Sequence, residues 1–303
     1  TPLIFPFGYF PNNDKKSSGL IIPSYGESQN QGFFLKDGGY YFTLSDKLDL
    51  TLKSDVYTKG SWNFKSSLRY KNRYKYNGNL NLSFGKMINS ELGFPDYSEK
   101  KDFNIKWKHK QDQKANPSLS FSANVEAGSS TYYRNNSYNA NDYLKNTMSS
   151  SINLSKRWEG AIINNLNFNL RHSQNTSTNQ VNLTIPDIGL SSKRIYPFKG
   201  IGNKAKTQWY DKITIKYNMN TKNTILTSDS LLFTSDSYSK FKNGMKHTIP
   251  VSTSIKVLKH FRLTPSFNLS ERWYLSQINK SWDSSIDNIR IDTINKFTRA
   301  HDY

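Results

Sequence analysis

The sequence predicts an all-β fold: an antiparallel transmembrane β-barrel, incomplete at its carboxy end, as the first part of a large barrel. Three observations predict it. Apolar and polar residues alternate with a period of two. Short and long connections follow one another. The composition is polar on average yet rich in aromatic residues, with 19 Tyr, 18 Phe and 6 Trp among 303 residues.

The alternation comes first. In 48–56, 62–70 and 80–84 apolar residues recur at every second position, interrupted only by Ser54 and Ser66. In 102–110, Phe103, Ile105, Trp107 and His109 alternate with Asp102, Asn104, Lys106, Lys108 and Lys110. In 118–127, Leu119, Phe121, Ala123, Val125 and Ala127 alternate with Ser and Asn residues and Glu126. The pattern returns at 152–156, at 165–171 (Leu166, Phe168 and Leu170 against Asn165, Asn167, Asn169 and Arg171), at 213–219 and at 261–269. Such spacing gives a strand one apolar and one polar face. On a helix the same residues would scatter around the axis instead of forming a stripe. About fourteen strands are expected, and a barrel closes with fewer. Segments 146–151 and 174–180 lack the apolar row and are expected to protrude beyond a bilayer.

The connections follow. Short turns are expected near Ser45-Asp46, Tyr74–Asn77, Gln113–Asn116, Glu159–Asn164 and Lys259-His260. Longer Ser-, Asn-, Tyr- and Lys-rich stretches fall at 87–99, 129–143, 222–245 and 276–296. Two connections break the rule, 59–60 by being short and 188–209 by being long. Membrane barrels sort their connections in this way, with short turns on one side and long loops on the other.

Composition bounds the function. No stretch reaches the roughly 18 consecutive apolar residues of a membrane-crossing helix. Low mean hydropathy is no argument against a barrel, in which only every second strand residue meets lipid. The net charge of +19 points to an anionic partner: nucleic acid, acidic lipid or phosphorylated glycan. There is no Cys, so neither disulfides nor thiolate chemistry is available. The five His show no metal-binding spacing. Carboxylates such as Glu91, Asp96, Glu126 and Glu159 are scattered, with no acid–base pair, nucleophile elbow or phosphate-binding glycine loop. The expectation is a protein without catalytic residues, metal or cofactor. The opening Thr1-Pro2-Leu3 lacks a charged leader and reads as the middle of a longer protein, and the ending Arg299–Tyr303 reads as an interrupted strand.

One stretch resembles a known family. It contains Pro6-Phe7-Gly8-Tyr9-Phe10-Pro11, then the run Lys16–Gly26, then Gly39-Tyr40-Tyr41-Phe42, Asp49-Leu50-Thr51-Leu52, Lys59-Gly60 and Leu68-Arg69-Tyr70. This resembles the junction between periplasmic jelly roll and barrel in the lipopolysaccharide-assembly outer-membrane proteins, the LptD-type translocons. Downstream, Arg194–Lys199 with Trp209-Tyr210, and Phe261–Pro265 leading to Glu271-Arg272-Trp273-Tyr274, resemble Bacteroidota-like members. The resemblance implies that residues 1–17 end a periplasmic jelly-roll domain and that 18–303 belong to the outer-membrane barrel. The first barrel strand would run over about Ser18–Glu27 and the second over about Gln31–Leu44. It further implies lipopolysaccharide as cargo, a lateral gate between first and last strands, a lipoprotein plugging the lumen, and docking to periplasmic bridge proteins. Prolines weaken the family's first two strands. Pro23 matches the first of these, whereas Gly39, preceded by Gly38, stands where the second is expected. The family's disulfides to the jelly roll cannot form within this stretch.

Each candidate residue has a plain reading beside the sharp one. Pro23 is either a gate residue or the start of a strand after a loop, since proline has no N–H for the ladder. Gly38 and Gly39 are either a gate weakness or a β-bulge in the wall. Arg69, Lys71, Lys106, Lys108 and Lys110 alternate with apolar residues and should point into the lumen. They are either contacts for glycolipid phosphates or ordinary solvated charges, and their summed field says more than any single one. The Trp residues are either an interfacial belt or core packing; Trp158, Trp209 and Trp273 near strand ends favour the belt, and mid-strand Trp107 does not.

Three functions compete. The first is the lipopolysaccharide translocon. The second is another outer-membrane barrel, a nutrient transporter or surface protein, which would lack the junction at Ser18–Gly26. The third is a soluble basic β protein stacking nucleic-acid bases on aromatics. The number and length of the strands argue against the third, so no nucleic-acid partner is expected.

Overall fold

The computed structural model describes residues 3–5, 8–10, 16–29, 31–136, 140–201, 208–232, 234–257, 261–284 and 287–302. The strands are β1 (Leu3–Phe5), β2 (Gly8–Phe10), β3 (Gly19–Ile21), β4 (Ser24–Ser28), β5 (Gly32–Ser45), β6 (Leu48–Tyr57), β7 (Trp62–Asn72), β8 (Tyr76–Asn89), β9 (Ser98–Gln111) and β10 (Leu119–Gly128). Beyond two short helices, α1 (Tyr132–Asn136) and α2 (Ala140–Tyr143), come β11 (Thr147–Arg157), β12 (Ile163–Asn175), β13 (Gln180–Ser192), β14 (Thr214–Ile215) and β15 (Asn218–Ser228). After α3 (Ser235–Ser239) follow β16 (Lys242–Ser252), β17 (Ile255–Val257), β18 (Phe261–Leu263), β19 (Ser266–Tyr274), β20 (Gln277–Asp283), β21 (Asn288–Ile294) and β22 (Thr298–Asp302). No helix among the described residues is long and apolar enough to cross a membrane.

The chain divides into two compact units, residues 1–115 with 123–148, and residues 116–122 with 149–303. In the first unit β5, β6, β7, β8 and β9 form an antiparallel meander in chain order, and both β3 and β4 pair with β5. In the second unit the order β11-β12-β13-β15-β16-β19-β22 also follows the chain, with β14 pairing β16. β3 and β22 are the outer strands of their units, and no barrel closure is seen among the described residues.

The predicted strands are present, with instructive breaks. The segment 213–219 is split at Lys216-Tyr217, and 261–269 at Thr264-Pro265, where proline supplies no ladder donor. The stretch 276–296, expected as a loop, is largely the β20–β21 hairpin. Its surface propensity was obscured by the charges and Asn residues that alternate with Ile278, Trp282, Ile289 and Ile291. A third exception to the loop rule appears at 176–179, a tight turn with Asn179 at positive φ, within the segment expected to protrude. The expected turn at Lys259-His260, most of the linker before Lys16, and residues 202–207 of the 188–209 connection lie outside the described residues. β1 and β2, in the region expected to end a jelly roll, pair with each other.

In β13 the cis Ile185–Pro186 step sits where the ladder slips against both neighbours, between Asn169 and Arg171 of β12 and beside Thr184/Asp187 against β15. The slip gives the missing proline donor no partner to disappoint. Nearby, Val181, Leu183 and Ile225 form a small buried cluster covered by Leu232 and Phe241, so the connection after β15 folds back onto the strand ends.

Burial in the first unit is inverted relative to a water-soluble sheet. Phe33, Leu35, Val56, Phe64, Leu82, Phe84, Phe103 and Ile105 are exposed, although they form one contiguous apolar face by register. Asp55, Asn63, Asp102 and Asn104, on the opposite face, are buried. A sheet that buries polar residues on one face while showing a contiguous apolar face is suited to an apolar medium.

Candidate functional site

Three features of the first unit could serve a function: its outer seam, a cationic basin on its polar face, and a loop tethered to the same face.

The seam is the pairing of β3 and β4 with β5. Ile21 pairs with Gly39 and Ser24 with Lys36, leaving Ile22-Pro23 opposite Asp37-Gly38 without ladder partners. Proline accounts for one side of the gap through its missing donor. A bulge accounts for the other: Asp37 has φ 58°, and the β5–β6 register slips between Leu35 and Gly38. The bulge is held by Asp55 of β6, 3% exposed, whose carboxylate accepts the Asp37 N–H at 2.8 Å. Lys65 completes the clamp, 2.8 Å from Asp55 and 3.2 Å from Asp37. The glycines are required by space. A Cβ on Gly38 would stand 2.9 Å from the Pro23 Cβ, and one on Gly39 would overlap the Leu52 carbonyl. The structure therefore brings Pro23, Gly38 and Gly39 to one spot, where proline and bulge weaken the same rung.

The basin lies at the short-turn end of β6–β9 and encloses about 1490 Å³. Arg69, Lys71 and Lys108 line it together with Lys16, Lys47 and Lys110, while Asp46 and Asp49 are its acids. Asp49 is already engaged, with its carboxylate 2.8 Å from Lys16 Nζ. Lys106 does not belong here. It lines a neighbouring recess of about 410 Å³, sits 3.6 Å from Glu126 and stacks its ammonium 5.0 Å over Tyr133. Alternation put Arg69, Lys71, Lys106, Lys108 and Lys110 on one face; Glu126 on the next strand sets Lys106 apart.

The tethered loop follows β10. Asp102, 2% exposed, accepts hydrogen bonds from Thr131 Oγ1 at 2.5 Å, Asn135 Nδ2 at 2.7 Å and Asn136 Nδ2 at 3.4 Å. Glu126 holds Lys145 at 2.7 Å and accepts from the Tyr133 hydroxyl. Two carboxylates on the polar face thus fix α1 and its flanks. In sequence Glu126 is one scattered carboxylate among others; the Asn/Tyr/Lys composition of 131–145, which supplies the donors, is the signal for its role.

The apolar face carries an aromatic cluster near the same strand ends. Tyr70 Oη lies 2.9 Å from Trp107 Nε1 and 2.8 Å from His109 Nδ1, and Tyr76 stacks on His109. Trp107, which its mid-strand place set apart, therefore joins an aromatic group of the type found at bilayer interfaces. In the second unit Tyr217 Oη meets His247 Nδ1 at 2.8 Å, and Trp273 packs on the same ring.

An exposed apolar face, a hidden polar face and interfacial aromatics define the wall of a membrane β-barrel. The chain belongs to the LptD protein family, whose family model matches residues 1–303. It is 32% identical over 95 residues to the LPS-assembly protein LptD of Pseudomonas aeruginosa (strain UCBPP-PA14), covering 31% of this chain and 10% of that protein. It is 26% identical over 104 residues to the protein of the same name from Actinobacillus pleuropneumoniae serotype 5b (strain L20), covering 34% of this chain and 13% of that one. Over 65 residues it is 37% identical to that of Ectopseudomonas mendocina (strain ymp), covering 22% and 7%. The matched stretches are a small part of these relatives' length.

Proposed function

We propose that this chain forms part of an outer-membrane translocon that inserts lipopolysaccharide into the outer leaflet through a lateral gate. The observation that carries the reading is the rung at which Ile22-Pro23 faces the Asp37-Gly38 bulge, in the outer strand pair of the first unit. A first strand that lacks ladder bonds to β5 at one rung bends there more readily than a continuous one, which loosens its other edge, where the gate to the last strand would lie. Membership of the LptD family supports lipopolysaccharide as the cargo and the Gram-negative outer membrane as the place. In this reading residues 1–17 end a periplasmic jelly roll and 18–303 are barrel wall, with the polar face turned to the lumen. A lipoprotein plugs that lumen, and periplasmic bridge proteins deliver the cargo. The protein works by opening and closing, without covalent chemistry.

Photocrosslinking in cells tests it, with the probe at Pro23, at Gly39 or at mid-wall Phe121 of the full-length protein. Glycolipid adducts at the first two positions and none at the third are expected. A folded protein without adducts at either seam position would overturn the gate.

A further inference from the structure

The strand register around β8 makes the basin an ordered array. Asn77, Asn79 and Asn81 follow one another on the polar face of β8. Each is flanked in register by a residue of β7 and a residue of β9: Lys71–Asn77–Lys110, Arg69–Asn79–Lys108 and Ser67–Asn81–Lys106. The first two rungs place an amide between two cations. The third is closed off, because Ser67 donates to Asn81 Oδ1 at 2.7 Å and Lys106 faces Glu126.

The four cations of the open rungs are exposed, and none has a carboxylate within ion-pair distance among the described residues. Asn77 and Asn79 make no side-chain hydrogen bond there. Strand spacing sets flanking cations roughly 9–10 Å apart at the backbone, and successive rungs are roughly 7 Å apart. One anionic group fits a rung, gripped by two charges and an amide donor. Two groups about 7 Å apart fit both rungs at once. The four cations repel one another across the rungs, and a bound anion relieves that repulsion.

The geometry points to a two-rung anion track that takes a sugar chain bearing at least two phosphate or carboxylate groups. This deepens the translocon reading and rests on it for the sugar; the register alone carries the preference for paired anions. The apolar recess between Tyr25, Phe33, Leu35 and Val56 is separate from the track.

The test uses full-length protein in detergent, with inositol hexakisphosphate as the polyanionic probe and inorganic phosphate as the single anion. Hexakisphosphate is expected to bind at least 10-fold more tightly than phosphate. Lys71→Gln with Lys108→Gln, one cation from each rung, should weaken hexakisphosphate at least 10-fold. Asn79→Asp, which sets a carboxylate between Arg69 and Lys108, should do the same. Lys280→Gln, which removes one of the chain's charges on the β20–β21 hairpin, should change nothing. Equal binding of the two probes, or equal loss from Lys280→Gln and the rung variants, would overturn the track. A photocrosslinker at Asn79 in cells should then yield a glycolipid adduct; protein adducts alone would mean that an acidic protein face sits there and would overturn the sugar assignment. If the Pro23 and Gly39 probes capture no cargo while the rung variants still lose hexakisphosphate, the gate has failed and the anion track stands.

Discussion

The ring of Tyr70 lies across the bare Cα of Gly78, its register partner on β8, and any Cβ at Gly78 would clash with it. That absence lets the Tyr70 hydroxyl reach Trp107 and His109 on β9, two strands away. Gly78→Ala is therefore expected to displace the ring, break both hydrogen bonds and destabilise the barrel by about 1–3 kcal/mol, the usual range for overpacking. The midpoint of the heat-induced band shift on gels measures it. The double variant with Tyr70→Ala should lose less than the sum of the single losses, because one ring carries both effects.

Asp55 is the anchor of the seam bulge. Asp55→Ala removes the acceptor of the Asp37 N–H and the 2.8 Å partner of Lys65. The expected cost is about 2–3 kcal/mol, in line with hydrogen bonds to charged groups. Amide exchange should accelerate at residues 36–39 first. An unchanged exchange pattern there would show that the bulge holds without its carboxylate.

Fixing the first strand to β5 should hinder its bending and so the opening at its other edge. Tyr25 and Leu35 are register partners on β4 and β5, and these 303 residues contain no Cys to interfere. Directly opposed residues on paired strands fall within disulfide reach. Tyr25→Cys with Leu35→Cys is expected to abolish lipopolysaccharide display under oxidising conditions and restore it on reduction. Display that continues with the bond formed would show that release does not need the first strand to part from β5.

Asp102→Ala should free the loop after β10. Three side-chain donors, from Thr131, Asn135 and Asn136, lose their common acceptor. Proteolysis at Arg134 in intact cells is expected to rise at least about 10-fold, the factor that 1.4 kcal/mol of local opening produces. Lys106→Gln should leave the same cleavage nearly unchanged, since Lys145 still holds Glu126 at 2.7 Å.

The strands were legible because alternation is local: Phe103, Ile105 and Trp107 announce a face without reference to any partner. The gap in the ladder at Pro23 was legible for the same reason, since proline intrinsically lacks a donor. What remained hidden depends on register, which pairs residues far apart in the chain. Nothing near Asn79 in sequence shows that Arg69 and Lys108 flank it. Nothing near Asp102 announces the donors of 131–136. The Asp37-Gly38-Gly39 run does carry a local turn signal, and the bulge there was within reach of sequence alone. The β20–β21 hairpin was missed because Lys280, Arg290 and Asp292 gave it the look of a polar loop, a sign that charge content outweighed spacing in that reading.

The gap opposite Pro23 gives the first strand a mechanical character. Its pairing with β5 consists of three register pairs on one side of Ile22-Pro23 and five on the other. Peeling such a strand is not one cooperative rupture. The two segments yield as separate events, with the ungripped residues acting as a hinge about which one segment swings while the other stays bound. A strand held this way returns to register after one segment is peeled, because the retained segment keeps the correct partner within reach.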